Sequence, residues 1–219
     1  MHFQFLIEDQ SSEALIHELM RKILINSSQI TYNCKSFRGI GGFTKKNTVK
    51  ETRTGKLLND LATYLRGFDR SLRHTQAAIF VILDNDDNNT EEFKARLQQV
   101  ASDNKISIDH VFCIAVEEVE AWLLGDEPAI MAAYPTVRRK ALGGYVQDSI
   151  CGTWEVLANA VYPGGLVKMR KECPSYREIG MKKAEWAKRM GMHMDLNANS
   201  SPSFNYFIQE LFRRIQPAA

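Results

Sequence analysis

The chain has 219 residues, 44% of them hydrophobic and 25% charged, with a formal net charge of +2. That is the composition of an ordinary globular protein with enough chain for a substantial core. Nothing in it announces a membrane-embedded chain or a protein drawn to nucleic acid by overall charge. The charge is unevenly placed: Lys and Arg recur from Arg38 to Arg73 and from Arg138 to Arg189, and acids gather near Asp84 and from Glu117 to Glu127. An acidic pocket between basic flanks suits metal-dependent chemistry on a polyanion, and it also suits plain surface patchiness. The cysteines (Cys34, Cys113, Cys151, Cys173) are scattered without a C-x-x-C, and no two histidines stand at i, i+4, which argues against zinc. With no leader-like segment and no apolar run long enough to span a bilayer, the expectation is a reducing, cytoplasmic setting and no membrane partner.

Residues His2 to Ile7 read as a strand that ends in Glu8-Asp9. A helix with an apolar stripe of Ala14, Leu15, Leu19 and Ile23 is expected to start near Glu13, capped by Ser11 or Ser12. Ile30 to Tyr32 reads as a short strand, and Ser36 to Gly42 as a glycine-rich loop flanked by Lys35 and Arg38. Glycines let backbone amides approach a phosphate, but no P-loop or dinucleotide spacing is present, which favours a purely structural loop. Lys45, Lys46, Lys50, Arg53 and Lys56 form either a solvated basic face or a track for a phosphate backbone.

Lys56 to Leu72 has helical spacing, followed by the seven-residue apolar run Ala77 to Leu83, which enters Asp84, Asp86 and Asp87. A run of this kind predicts a strand buried on both faces, as in a parallel sheet. A helix is predicted over Glu91 to Ser102, with Asp87 available to cap it, and a further strand over Ile108 to Val116. That strand also runs into acids, Glu117, Glu118 and Glu120, which open another helical pattern and fall on different sides of it.

Alternating strands and helices predict a Rossmann-like α/β fold with a mostly parallel sheet flanked by helices. The carboxyl ends of such a sheet share one edge, where ligands bind. Glu8, Asp84, Asp86 and the Glu117 to Glu120 cluster would meet there. Residues 1–127 are expected to form the α/β domain and residues 128–219 a helical C-terminal subdomain packed on it. Its helices are read over Thr153 to Val161, Met181 to Met190 and Phe204 to Ile215.

A lone Asp-x-Asp serves as often to cap a turn as to hold an ion. Repetition of acids at three strand ends favours a shared site for a hard divalent cation, Mg²⁺ or Mn²⁺. In that reading Asp84 and Asp86 hold one ion, and Glu118 or Glu120 completes its shell or holds a second. Glu8 is a ligand or the general base. Lys183, or its neighbour Lys182, would stabilise charge on a transferring phosphate, against the blander possibility of a solvated lysine packed on Trp186. Lys182 and Arg38 are candidate substrate contacts, and Trp122 reads as core.

These strand-end acids resemble the TOPRIM superfamily. Within it the chain is similar to small stand-alone prokaryotic TOPRIM-like proteins related to the OLD and RloB nucleases. The resemblance is carried by Leu6-Ile7-Glu8-Asp9, Arg38-Gly-Ile-Gly41, Leu83-Asp-Asn-Asp86 and Val116-Glu-Glu-Val-Glu-Ala-Trp-Leu-Leu-Gly-Asp126. Lys182-Lys-Ala-Glu-Trp-Ala187 and Ser201-Pro-Ser-Phe204 add to it. The chain departs from that pattern at Asp9, where a glycine is usual, and at Ser12, where a second acid is usual, with Glu13 one place later. The resemblance implies a TOPRIM-like fold and a metal-dependent nuclease acting on DNA or tRNA. It also implies an ABC- or AAA-type ATPase partner in antiviral defence. The alternative is a catalytically weak or inactive module that regulates such an ATPase.

Overall fold

The computed structural model describes residues 1–25, 29–43 and 55–215. Its centre is a parallel four-stranded sheet in the order β2-β1-β3-β4, with β1 His2–Ile7, β2 Thr31–Ser36, β3 Ala77–Asp84 and β4 Asp109–Ala115. The two interior strands, β1 and β3, are the most deeply buried. Every residue of β3 is buried, as its unbroken apolar run predicts. Side chains alternate across the sheet. Phe3, Phe5, Ile7, Phe80 and Ile82 enter one apolar cluster, and Leu6, Ile79, Val81 and Leu83 the other.

Helices α2 (Leu57–Leu72) and α3 (Thr90–Asp103) cover the second face, through Leu57, Leu61, Leu65, Phe93 and Leu97. The first face is covered by α1 (Gln10–Leu24) and by helices from the later part of the chain. These are α4 (Glu120–Leu124), α5 (Glu127–Ala133), α6 (Thr153–Val161), α7 (Gly165–Glu172), α8 (Tyr176–Gly191) and α9 (Pro202–Ile215). Leu157, Trp186, Met190, Phe204 and Phe207 lie in the same cluster as Phe3 and Phe80, so these helices and the sheet share one continuous core. Helix α8 lies along α1, and α9 along β4. Trp122 is fully buried and stacks on Phe207 with ring centroids 5.2 Å apart.

Several boundaries differ from the sequence-based expectation, each for a local reason. Helix α1 starts at Gln10 because Asp9, still extended, is its cap: one carboxylate oxygen accepts from the Ser12 amide and the other from the Ser11 hydroxyl, both at 2.8 Å. Strand β2 begins one residue after Ile30 and continues to Ser36, pairing in register with β1 into the start of the glycine-rich loop. Helix α5 was not expected; Asp126 caps it and Pro128 stands in its first turn, where a missing amide costs nothing. Helix α7 takes in the basic run Lys168–Lys171. Helix α8 starts five residues before Met181, because Ser175 and Glu178 form a reciprocal capping box. Helix α3 is capped by Asn89, which accepts from the Glu92 amide, so Asp87 is not the cap.

Candidate functional site

The carboxyl ends of β1, β3 and β4 lie side by side, because β1 pairs with β3 and β3 with β4 in parallel register. Glu8 follows β1 directly. Its amide donates to the Ile82 carbonyl, and its Oε2 accepts the amide of Asp84 at 3.0 Å. Asp84 ends β3 and is buried, and its Oδ1 has no hydrogen-bond partner. Asn85 then ties two strand ends together. Its amide donates to the Ala115 carbonyl, its Oδ1 accepts from the Glu117 amide, and its Nδ2 donates to the Asn88 carbonyl and the Thr90 hydroxyl. The Asp86 amide donates to the Glu117 carbonyl. Asp86 (φ 48°) and Glu117 (φ 62°) both take the left-handed conformation that side-chain-bearing residues avoid at a cost of about 1–2 kcal/mol each.

This geometry corrects the helical-wheel expectation for Glu117, Glu118 and Glu120. Glu117, left-handed and clamped by Asn85, breaks the helical path, so α4 begins only at Glu120. The Glu117 carboxylate accepts the amides of Cys151, Gly152 and Thr153 at 3.2, 2.7 and 2.8 Å and so holds the start of α6. Glu118 and Glu120 reach Lys183 of α8, and Glu118 Oε2 also accepts from the Thr153 hydroxyl at 3.4 Å. The Lys183 ammonium is 3.2 Å from Glu118 Oε1 and 3.0 Å from Glu120 Oε2. Glu120 is completely buried, and its Oε1 has no partner. The lysine is nearly buried as well, at 11% side-chain exposure, so the solvated-lysine alternative does not hold for it.

Burial sets the electrostatics of the cluster. It pushes Glu8 up to about 8, against the pull of the Asp84 amide and with the help of Asp9 and Asp86. Burial and then the Glu8 charge raise Asp84 well above the carboxylate range. Burial raises Glu120 to about 7 despite Lys183, and it raises Glu118 and Asp86 too. For Lys183 burial acts downward, but Glu120, Glu118, Asp84 and Asp9 outweigh it and hold the ammonium above its ordinary range. The site is therefore short of positive charge, with one buried lysine facing several buried acids. Above it, a pocket of about 260 Å³ opens over Asp86, Glu118, Gly152 and Trp154.

The remaining candidates lie further out. Arg38 is exposed, in a loop fastened over the end of β1 by the Gly39 amide, which donates to the Glu8 carbonyl. Gly41 (φ 72°) lies so close to α2 that a Cβ there would sit 2.5 Å from Asn59 Oδ1, so this glycine is explained by packing. Lys182 faces outward and pairs with Glu185 at 2.9 Å, away from the acids that Lys183 meets. Glu13 accepts from the Ser36 hydroxyl at 2.7 Å, and both Asp9 oxygens are taken by the cap. Lys45, Lys46, Lys50 and Arg53 lie outside the described residues, and Lys56 is engaged in an interaction of its own. Among the described residues, no group of three or more His, Cys, Asp or Glu side chains is arranged so that it could hold a metal ion. The donors nonetheless suit one chemically: they are hard oxygens, and Asp84 Oδ1 and Glu120 Oε1 are buried without partners.

Sequence reasoning missed Asn85 and the capping role of Glu117. A polar residue between two acids carries no pattern that distinguishes a buried clamp from a loop, although Asn85 is fully buried. The motif from Glu120 to Asp126 proves to have two different ends. Its far end is a polar knot in which Asp126 accepts from the Ala129 and Asp195 amides, and Asn199 Nδ2 donates to the Trp122 carbonyl. Trp122 Nε1 donates to Ser203 Oγ, and Asp148 accepts from the Ser201 hydroxyl and the Ser203 amide.

Fold and site together define an α/β protein whose parallel sheet carries a buried acid–lysine cluster on its carboxyl edge. Among the described residues, no helix is long and apolar enough to cross a membrane. The chain belongs to the family described as Domain of unknown function (DUF4276), which matches residues 7–212. No curated protein and no solved structure matches it.

Proposed function

We propose that the protein is a divalent-metal-dependent nuclease that hydrolyses phosphodiester bonds in DNA or tRNA. The observation that carries this reading is the buried Glu8–Asp84 pair on the carboxyl edge, with Asp84 Oδ1 left without a partner. Buried polar atoms are rarely left so unless something else completes them. Asp84 and Asp86 would hold a Mg²⁺ or Mn²⁺ ion, with Glu8, Glu118 or Glu120 completing its shell. When bound, the ion supplies Lewis-acid polarisation of the phosphoryl oxygen and activation of water. Glu8, where it is not a ligand, would serve as the base that accepts a proton from water, and burial raises its carboxyl. Lys183 offers its ammonium to the charge that develops on the phosphoryl group. Arg38, exposed beside the end of β1, contacts the substrate backbone, and Lys182 extends the basic surface on the outer side of α8. The resemblance supports a cytoplasmic setting beside an ABC- or AAA-type ATPase in antiviral defence.

The test is cleavage of supercoiled plasmid and of tRNA with Mn²⁺, by the wild type and by Asp84→Ala. Wild-type cleavage that falls at least about a hundredfold in the variant is expected, on the scale of losing a ligand that stabilises the transition state. Cleavage that survives the substitution overturns the assignment.

One observation favours a second reading. Lys183 already supplies Glu118 and Glu120 with a cation, as it would in a module that binds no metal and regulates an ATPase. Calorimetry with Mn²⁺ separates the two: no binding heat with the wild-type protein selects the regulatory module.

A further inference from the structure

A groove of about 500 Å³ adjoins the acidic pocket, and the two share Trp154 and Glu155 as lining. Its other walls are Arg170 of α7, Pro174, and Tyr176 and Ile179 of α8. The aromatic groups here are unusually available. Tyr176 is 95% exposed at the first position of α8. Of the three tryptophans, Trp122 and Trp186 are buried, whereas Trp154 is only partly so. Arg170 holds its guanidinium 5.8 Å from the Trp154 ring, tethered by Glu155 at 3.4 Å. Lys171 and Arg177, both exposed nearby in sequence on α7 and α8, make no ion pair among the described residues.

We infer that this groove is the binding track for a single-stranded segment of nucleic acid, with bases stacking on Trp154 and Tyr176 and backbone phosphates meeting Arg170, Lys171 and Arg177. Flat aromatic faces beside cationic side chains are what unpaired bases on a charged backbone require, and stacking of this kind tolerates any sequence. A duplex hides its base faces and would leave both rings idle. The inference rests on the nuclease reading for its direction, since the shared wall at Trp154 joins the groove to the pocket over Asp86 and Glu118. It names the substrate more narrowly, as unpaired DNA or an unpaired loop of RNA.

The test is binding of fluorescein-labelled single-stranded DNA and RNA 12-mers of mixed sequence in chelator, followed by anisotropy and by quenching of tryptophan fluorescence. The wild type is expected to bind in chelator, because stacking on Trp154 and Tyr176 does not need the metal. Trp154→Leu is expected to lose the quenching, and the double variant Trp154→Leu/Tyr176→Ala to bind at least about tenfold more weakly, on the scale of one or two lost stacks. A 12-bp duplex is expected to bind weakly in all proteins. Equal affinity for duplex and single strand, or unchanged binding by a double variant whose circular dichroism and melting match the wild type, overturns the inference. Binding without any Mn²⁺-dependent cleavage leaves the groove standing and removes the nuclease reading. Cleavage that is indifferent to both aromatic residues does the reverse.

Discussion

The segment from Glu117 to Asp126 joins two buried polar clusters that differ in how their charges are met. At its far end, each oxygen of Asp126 and of Asp148 accepts a hydrogen bond from a fixed amide or hydroxyl. At its near end, Asp84 Oδ1 and Glu120 Oε1 have none, and burial raises the acids around them. Both clusters cost desolvation; the first recovers it oxygen by oxygen, the second only in part, through Lys183 and the Asp84 amide.

The comparison can be broken most severely at Lys183. Lys183→Met leaves Glu118 and Glu120 without their cation and is expected to destabilise the fold by about 3–5 kcal/mol. Glu120→Gln in the same chain should recover part of that loss in urea titrations, and no recovery would mean the lysine acts through packing alone. The two clusters should then respond oppositely to neutralisation. Asp126→Ala removes a cap and a second amide contact and should cost about 2–4 kcal/mol. Asp84→Asn replaces a carboxyl that burial and Glu8 hold above its usual range with a neutral group of the same shape, and should leave the melting temperature unchanged or higher. Equal losses in the two variants would erase the distinction.

Asp69 sharpens the satisfied side. Burial acts to raise its carboxyl, but the Ile108 and Ser107 amides, the Ser107 hydroxyl and Arg73 outweigh it and hold the group below its usual range. Its stabilising contribution is therefore complete above the unfolded value of about 3.9 and disappears as the pH falls through the lower folded value. Asp69→Asn should lose stability at neutral pH and show a shallower decline than the wild type below about pH 4, measured by acid-dependent melting. The smallest loss is expected from Ser203→Ala, which leaves the Trp122 indole N–H without its acceptor at a cost of about 1 kcal/mol.

The parallel sheet was legible because β3 is apolar without interruption and because three strands run into acids, a pattern that survives any detail of packing. Glu8, Asp84 and the pair Glu118 and Glu120 could be anticipated on the same ground. Which glutamate faces which way could not, because it depends on the Asn85 clamp and the left-handed turn at Glu117. The choice between Lys182 and Lys183 was equally closed to the sequence. Two adjacent lysines differ only by a 100° step around α8, and the packing of α8 along α1 decides which one meets the acids. The most specific sequence motif, Glu-Ala-Trp-Leu-Leu-Gly-Asp, owes much of its character to the knot at Trp122 and Asp126.

The Glu117 contact to α6 has a directional consequence. The start of a helix is ordinarily a ready seat for a phosphate, and the first amides of α6 border the acidic pocket at Gly152. Glu117 already fills that seat with an internal anion. An anion entering the pocket is thereby denied the amides of that wall, because they already face the Glu117 carboxylate.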